Sequence, residues 1–318
     1  MAFFSGNKLT TDKKETAKNV FHFGLYRKNV LVTGGNGQLG SELRRNTKDS
    51  DNRLNFIFTD VDTLDITDLG SVDNFVRDHH ISYIVNCAAY TAVDKAEDDI
   101  ELCYKINRDA VENLAIAADK YNAKVIHIST DYVFDGTKTE PYIETDHVNP
   151  KSVYGKSKME GEQALLNNCP QSIIIRTAWL YSIFGSNFVK TMMRLGNELN
   201  DINVVADQTG TPTNAGDLAK AILHIIDFSE SKELIPGIYH FSNMGITNWY
   251  DFTLTIHRLA KIDCKVNPIT TAEYPTRAAR PQYSILCKDK ITKTFSLEIA
   301  EWEDSLKVCI SELLSGAK

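Results

Sequence analysis

NVLVTGGNGQLG, residues 29–40, is a short apolar run that stops on a threonine and breaks into closely spaced glycines. Val30, Leu31 and Val32 read as a buried strand. Gly34, Gly37 and Gly40 fit G-x-x-G-x-x-G, and Gly35, Gly37 and Gly40 fit G-x-G-x-x-G. Without a Cβ, such positions permit a tight turn, close approach of backbone to a pyrophosphate, and tight packing of helix on strand. The helix predicted next, GQLGSELRRNT, points its free N–H groups at an anion. A second strand, LNFIFTD, ends on Asp60, twenty residues beyond Gly40. That is the place for a carboxylate that hydrogen-bonds an adenosine ribose. Strand, loop, helix and carboxylate together outweigh the reading of the glycines as a plain tight turn. Asp60 repels a 2′-phosphate and leans toward NADH. Arg44 and Arg45 stand as phosphate partners, so NADPH or NADH is the expected cofactor.

Outward from this loop, apolar strands alternate with amphipathic helices as far as about residue 180: DLGSVDNFVRDHH helical, ISYIVNCAA strand, ELCYKINRDAVENLAIAADKY one long helix, AKVIHIST strand, KSKMEGEQALLNNC helix, QSIIIRTAWLY strand. Strands apolar throughout and separated by helices predict a parallel sheet covered on both faces, with right-handed crossings. The expected fold class is α/β, a Rossmann-type doubly wound parallel sheet with a smaller mixed α/β substrate-binding domain. Residues 1–27 read as a polar N-terminal extension, 28–180 as the NAD(P)-binding domain, and 181–318 as the substrate-binding domain. A segment near 203–228 is expected to return to the first domain. GIYHFSN and the helices NWYDFTLTIHRLAKI and WEDSLKVCISELLS are assigned to the second.

The chain has 318 residues, 42% hydrophobic and 24% charged, with a net charge of -7. That balance argues against nucleic acid or an anionic membrane as partner, while leaving room for a local basic pocket. Six scattered cysteines without a C-x-x-C pair read as reduced thiols of a cytoplasmic protein. No apolar run approaches the roughly 20 residues that span a bilayer. Eight histidines show no ligand spacing, and His79-His80 reads as a surface doublet, so no metal site is expected from them.

Groups at the carboxyl ends of the strands would surround a nicotinamide. Ser129, Thr130 and Asp131 end one strand; Ala88, Ala89 and Tyr90 follow another, where small side chains leave room for a cofactor. Tyr154 and Lys158 lie four apart, on one helix face with about 5–6 Å between Cβ atoms. An ammonium there is expected to lower the phenol's pKa from near 10, so that Tyr154 passes a proton near neutral pH. The set suits ketone reduction: Tyr154 protonates the carbonyl oxygen, Thr130 hydrogen-bonds it, and Lys158 tunes the tyrosine and holds the nicotinamide ribose.

The glycine loop, the Ser-Thr hydroxyls and the Tyr-x-x-x-Lys pair resemble the extended short-chain dehydrogenases/reductases. Within them, GQLG, AAYTAVDKAE, STDYVFDGTKTEPYIETD, NPKSVYGKSKMEGE, IIRTAWLY, NFVKTMMRLG, DQTGTPT and YPTRAARPQYS closely resemble the dTDP-4-dehydrorhamnose reductase family, over residues 28–315. The resemblance implies NAD(P)H-dependent reduction of a C4 ketone of a nucleotide sugar, for cell-surface polysaccharide. It implies that Gly37, Gln38 and Leu39 contact the pyrophosphate, Asp60 the ribose, Asp65 and Ile66 the adenine side, and Ala88, Ala89 and Tyr90 the dinucleotide. Thr130, Asp131 and Trp179 would meet the sugar nucleotide. Some relatives bind Mg²⁺ through surface carboxylates, and a homodimer is compatible with the pattern. Ile128 stands where some relatives carry tyrosine.

Plainer readings stand beside these. Trp179 on an apolar strand reads as core, Asp131 as a turn cap, and Asp94, Lys95 and Glu97 as a salt-bridged loop. Asn107 reads as a backbone tie. Arg277 and Arg280 bind a diphosphate or pin the second domain to the first. A 4,6-dehydratase is disfavoured because Tyr132, not Glu, follows Asp131. A 4-epimerase of the same superfamily, and a non-catalytic subunit like the regulatory chain of methionine adenosyltransferase, are the remaining alternatives.

Overall fold

The computed structural model describes residues 27–48 and 53–316. All but the last residue of the predicted N-terminal extension therefore lies outside the described residues. Strands β1 (Lys28–Thr33), β2 (Leu54–Phe58), β3 (Ile81–Asn86), β4 (Lys124–Thr130) and β5 (Ile173–Thr177) alternate with helices α1 (Gln38–Asn46), α2 (Leu69–Asp78), α3 (Ile100–Tyr104), α4 (Ala110–Lys120) and α5 (Val153–Asn168). In β1, Val30, Leu31 and Val32 are each 0% exposed. Val30 and Val32 pack with α1 on one face, and Leu31 packs with α2 and α4 on the other. Each such side chain contributes roughly 1.5–3 kcal/mol on burial, which is why a strand lying between two helical layers is apolar at every position.

Six strands form one parallel sheet in the order Gly237–His240, β5, β4, β3, β1, β2. The α/β doubly wound fold is thus as expected, but its sixth strand is not where the sequence placed it. GIYH, read as part of the second domain, pairs in parallel with β5. INVV, read as a further strand of the sheet, instead pairs with Lys265–Ile269, away from it. The helix Ala215–Ser231 does return, packing its Leu218, Ile222 and Ile225 against β1 and α1. Strands of four or five residues carry too little pattern to name a partner, and the pairing is settled by which edge is free.

The predicted long helix over residues 101–121 is interrupted. A π-helical turn, Lys105–Asp109, separates α3 from α4. It pushes the Asn107 carbonyl toward α5, where Gly161 leaves room for it. A separate core joins the helices Phe188–Glu198, Trp249–Ala260 and Trp302–Ser315 to the strand pair Asp201–Val205 and Lys265–Ile269. No helix among the described residues is long and apolar enough to cross a membrane.

Candidate active site

The glycine loop closes on itself at the end of β1. Gly34 has φ +63°, and a Cβ on it would lie 2.7 Å from the Ala88 nitrogen. A Cβ on Gly40 would lie 2.4 Å from the Gly34 carbonyl. Side chains at either position would therefore fill the cradle. Gly37 caps α1 without a side-chain hydrogen bond, so the first-turn N–H groups keep their donor capacity. This cradle fits a dinucleotide pyrophosphate. Leu39 is buried in the core, and Gln38 accepts from Asn187 Nδ2 at 3.0 Å.

Asp60 stands at the loop. Its Oδ2 accepts from the Asn36 N–H at 3.0 Å and its Oδ1 from the Val61 N–H at 2.9 Å. Arg44 lies over the Phe58 ring at 4.8 Å and against Gly35, on the same edge. Arg45 points elsewhere: it donates to Glu312 at 2.8 Å, which removes it as a phosphate partner. Asp65 accepts from the Thr67 hydroxyl at 2.7 Å and the Thr67 N–H at 2.9 Å, and these bonds hold its carboxyl below the usual range. The Ile66 side chain is in the core, which leaves its backbone for any adenine contact.

Two asparagines hold the segment after β3. Asn86 Oδ1 accepts from the Ala88 N–H at 3.2 Å, and Asn107 brackets Tyr90, accepting from its N–H at 2.9 Å and donating to its carbonyl at 3.1 Å. Asn107 also donates to Ser157 Oγ on α5 at 3.1 Å. It ties backbone, as read from the sequence, and the backbone it ties carries Ala88, Ala89 and Tyr90.

Ser129, Thr130, Asp131, Tyr154 and Lys158 converge at the end of β4. Ser129 Oγ, one residue before the end of β4, is buried with no partner. Thr130 donates to Asp131 Oδ1 at 3.0 Å and accepts from the Tyr132 N–H at 3.2 Å, and it lies beside the Tyr154 phenol. Burial pushes the Asp131 carboxyl up to about 7, against the Thr130 hydrogen bond. The Tyr132 ring meets the Tyr154 ring edge-on at 5.5 Å.

One expectation fails here. The Tyr154 phenol is not lowered by its neighbour; burial raises it well above its ordinary value, and Thr130 beside it only partly opposes this. Helix spacing does bring Lys158 to the same face, but its Nζ turns to β4, donating to the Ile128 carbonyl at 2.6 Å and meeting His127 Nε2 at 3.3 Å. Burial pulls Lys158 down to about 8. Sequence alone missed His127 and Asn86; a histidine between Ile126 and Ile128 of the strand KVIHIST was the available signal.

Trp179 follows β5 with φ +49° and is half-buried. One face stacks on Trp249 at 3.6 Å, with 13° between the planes, and Trp249 donates to Gln208 at 3.2 Å. It is neither simple strand core nor free. Asp94 and Asp98 are ion-paired with Arg280 (2.5 Å) and Arg277, so those arginines pin the 276–280 segment onto the loop after β3. Glu97 accepts from the Val153 N–H at 2.9 Å and thereby caps α5 just ahead of Tyr154. Among the described residues no three His, Cys, Asp or Glu side chains converge as metal ligands, so the Mg²⁺ expectation finds no site there.

A glycine cradle on a parallel sheet, with a Tyr-x-x-x-Lys helix beside a Ser-Thr strand end, defines an oxidoreductase of the short-chain dehydrogenase/reductase type. The profile described as RmlD substrate binding domain matches residues 28–315. A dTDP-4-dehydrorhamnose reductase of Aggregatibacter actinomycetemcomitans is 42% identical, over 87% of this chain and 97% of that protein. The crystal structure of a dTDP-4-dehydrorhamnose reductase from Clostridium acetobutylicum has a TM-score of 0.85 and 45% identity, covering 90% of this chain and 99% of that one. A Bacillus anthracis dTDP-4-dehydrorhamnose reductase, in complex with NADP, has a TM-score of 0.85 and 38% identity over 90% and 99%. The chain belongs to the dTDP-4-dehydrorhamnose reductase family.

Proposed function

We propose that this chain reduces the C4 ketone of dTDP-4-dehydro-β-L-rhamnose to dTDP-L-rhamnose with NAD(P)H, in the cytoplasm, supplying activated rhamnose for cell-surface polysaccharide. The observation that carries the reading is the buried Tyr154 phenol beside Thr130, at the carboxyl edge of a sheet whose first loop is a glycine cradle. Near full-length likeness to proteins named for this reaction supports the substrate. The neighbour bound to NADP supports the cofactor class. Asp60 and Arg44 lie on the edge of the loop where an adenosine ribose would be read, one favouring a free 2′-hydroxyl and the other a 2′-phosphate.

Gly34, Gly37 and Gly40 would admit the pyrophosphate, and Ala88 and Ala89 the body of the dinucleotide. When bound, the reduced nicotinamide supplies a hydride to C4. Tyr154 transfers its phenolic proton to the ketone oxygen as that bond becomes an alcohol. The raised proton affinity of Tyr154 suits this direction, because the donor must arrive protonated. Thr130 orients the phenol and offers a hydroxyl to the developing oxyanion. The half-buried Trp179 supplies an aromatic wall for the nucleotide sugar, held flat by Trp249.

Purified protein should consume NADH or NADPH when given the dTDP-linked 4-keto sugar, and more slowly with UDP- or GDP-linked analogues. Tyr154→Phe should lower kcat by at least ~10²-fold, the scale expected for loss of a positioned proton donor. Cofactor oxidation by the variant at the wild-type rate would remove Tyr154 from the chemistry. Cofactor binding without turnover of any 4-keto sugar would favour the regulatory-subunit reading instead.

A further inference from the structure

Behind Lys158 a buried polar chain crosses three strands: Thr33 at the end of β1, Asn86 at the end of β3, and His127 in β4. His127 is 0% exposed and Asn86 1%. Donor accounting fixes how this chain is protonated. The Ala88 N–H can only donate, and it donates to Asn86 Oδ1 at 3.2 Å, as does the Thr33 hydroxyl at 2.7 Å. The amide is thereby oriented, so the group that meets His127 Nδ1 at 3.0 Å is Asn86 Nδ2. An amide nitrogen only donates, so Nδ1 accepts, and a neutral imidazole then carries its proton on Nε2. Flipping the amide would set its NH₂ against the Ala88 N–H. An imidazolium is disfavoured as well, because burial holds His127 well below its ordinary range.

The Nε2–H therefore faces Lys158 Nζ at 3.3 Å. An ammonium has three donors and no acceptor, so a charged Lys158 would set donor against donor at this contact. An amine has a lone pair. It accepts from His127 while still donating to the Ile128 carbonyl at 2.6 Å.

We propose that His127 is a positioning residue for the reductase site, whose Nε2–H favours the uncharged form of Lys158, so that this lysine is not a fixed cation. The surroundings agree. Burial pulls Lys158 down to about 8; the Glu162 carboxylate, one turn along α5, favours the charge, with Cys103 of α3 and Cys87 after β3. Glu162 is itself taken by Arg176, at 2.8 and 2.6 Å, which blunts its pull on Lys158.

The role assigned to Lys158 rests on the ketoreductase reading, but the decisive measurements need no turnover. In ¹⁵N-histidine-labelled protein, His127 should show a protonated Nε2 and an unprotonated Nδ1; the reverse tautomer overturns the proposal. In protein carrying ¹³C-labelled lysine, with Lys158 assigned by its loss in Lys158→Met, the amine should titrate in the wild type near neutral pH. His127→Phe keeps the site dry and removes the donor, and Lys158 should then bind its proton at least ~tenfold more tightly, one pH unit. Asn86→Asp offers an acceptor to Nδ1, moves the imidazole proton there, and should shift Lys158 the same way even if the phenylalanine variant folds poorly. The lower limb of the kcat–pH profile should move with the titration. An unmoved Lys158 titration in both variants, with kcat reduced by one factor at every pH, would leave His127 as packing only. Absence of wild-type turnover with every 4-keto sugar nucleotide would sink the enzymatic reading, while the two spectra still decide the His127–Lys158 contact.

Discussion

Asp131 carries the sharpest electrostatic consequence of any single residue near the site. It is 2% exposed, one carboxylate oxygen has no partner, and burial pushes the group up to about 7. In an unfolded chain an aspartate titrates near 3.9. Below about pH 4 both states hold the proton, and the fold buries no charge. As pH rises from there to about 7 the unfolded chain releases its proton first, so stability falls through that window and levels off above it. Three pH units correspond to roughly 4 kcal/mol. Asp131→Asn removes this loss. Urea denaturation at about pH 4.5 and about pH 8 should show the variant gaining on the wild type by several kcal/mol between the two. A difference that is the same at both would mean that the carboxyl is ionised throughout.

At the scale of elements, α5 decides where Tyr154 and Lys158 stand. Ser152 accepts from the Gly155 N–H at 3.1 Å and Glu97 from the Val153 N–H, so two side chains cap the helix one residue ahead of Tyr154. Its middle is set by a close crossing: a Cβ on Gly161 would lie 2.0 Å from the Asn107 carbonyl of the π-helical turn. That contact is backbone on one side and cannot rotate away. Gly161→Ala should therefore cost about 1–3 kcal/mol, or more if the helices fail to separate. It should also lower kcat, because displacing the turn loosens the Asn107 bracket on Tyr90 and its tie to Ser157. Thermal unfolding together with steady-state rates tests this; a variant with wild-type Tm and kcat would mean that α5 is free to shift without consequence.

For the whole molecule, the question is what holds the 276–280 segment to the nucleotide-binding core. Arg280 is only 21% exposed at its side chain and contacts both Asp94 and the Tyr132 hydroxyl at 2.9 Å, whereas the Arg277–Asp98 pair is exposed at 64% and 47%. Exposed pairs contribute little, a few tenths of a kcal/mol, and partly buried networks more. Double-mutant cycles with alanine should therefore give a coupling of about 1 kcal/mol for Asp94–Arg280 and close to zero for Asp98–Arg277. Equal couplings would show that burial at Tyr132 does not strengthen the former pair. Because Tyr132 packs edge-on against Tyr154, losing Arg280 should also disturb the Tyr154 phenol.

Much of this is legible in the sequence alone. The glycine spacing ahead of α1, the Asp60 position and the unbroken apolar strands are local patterns, and local pattern is what sterics and the side-chain period dictate. So the doubly wound sheet, the cradle and the pairing of Tyr154 with Lys158 on one helix face followed from residues 28–180 alone. The sixth strand, the break in the 101–121 helix, and the withdrawal of Arg45 to Glu312 did not, since each depends on a partner far along the chain. The charge states were also out of reach: helix spacing placed an ammonium beside a phenol, but depth in the protein and the hydrogen bonds made at Ile128 and His127 decide whether either group is ionised. Sequence determines which groups meet, because that is geometry over a few residues. Only the folded interior determines their proton affinities, because desolvation is set by everything packed around them.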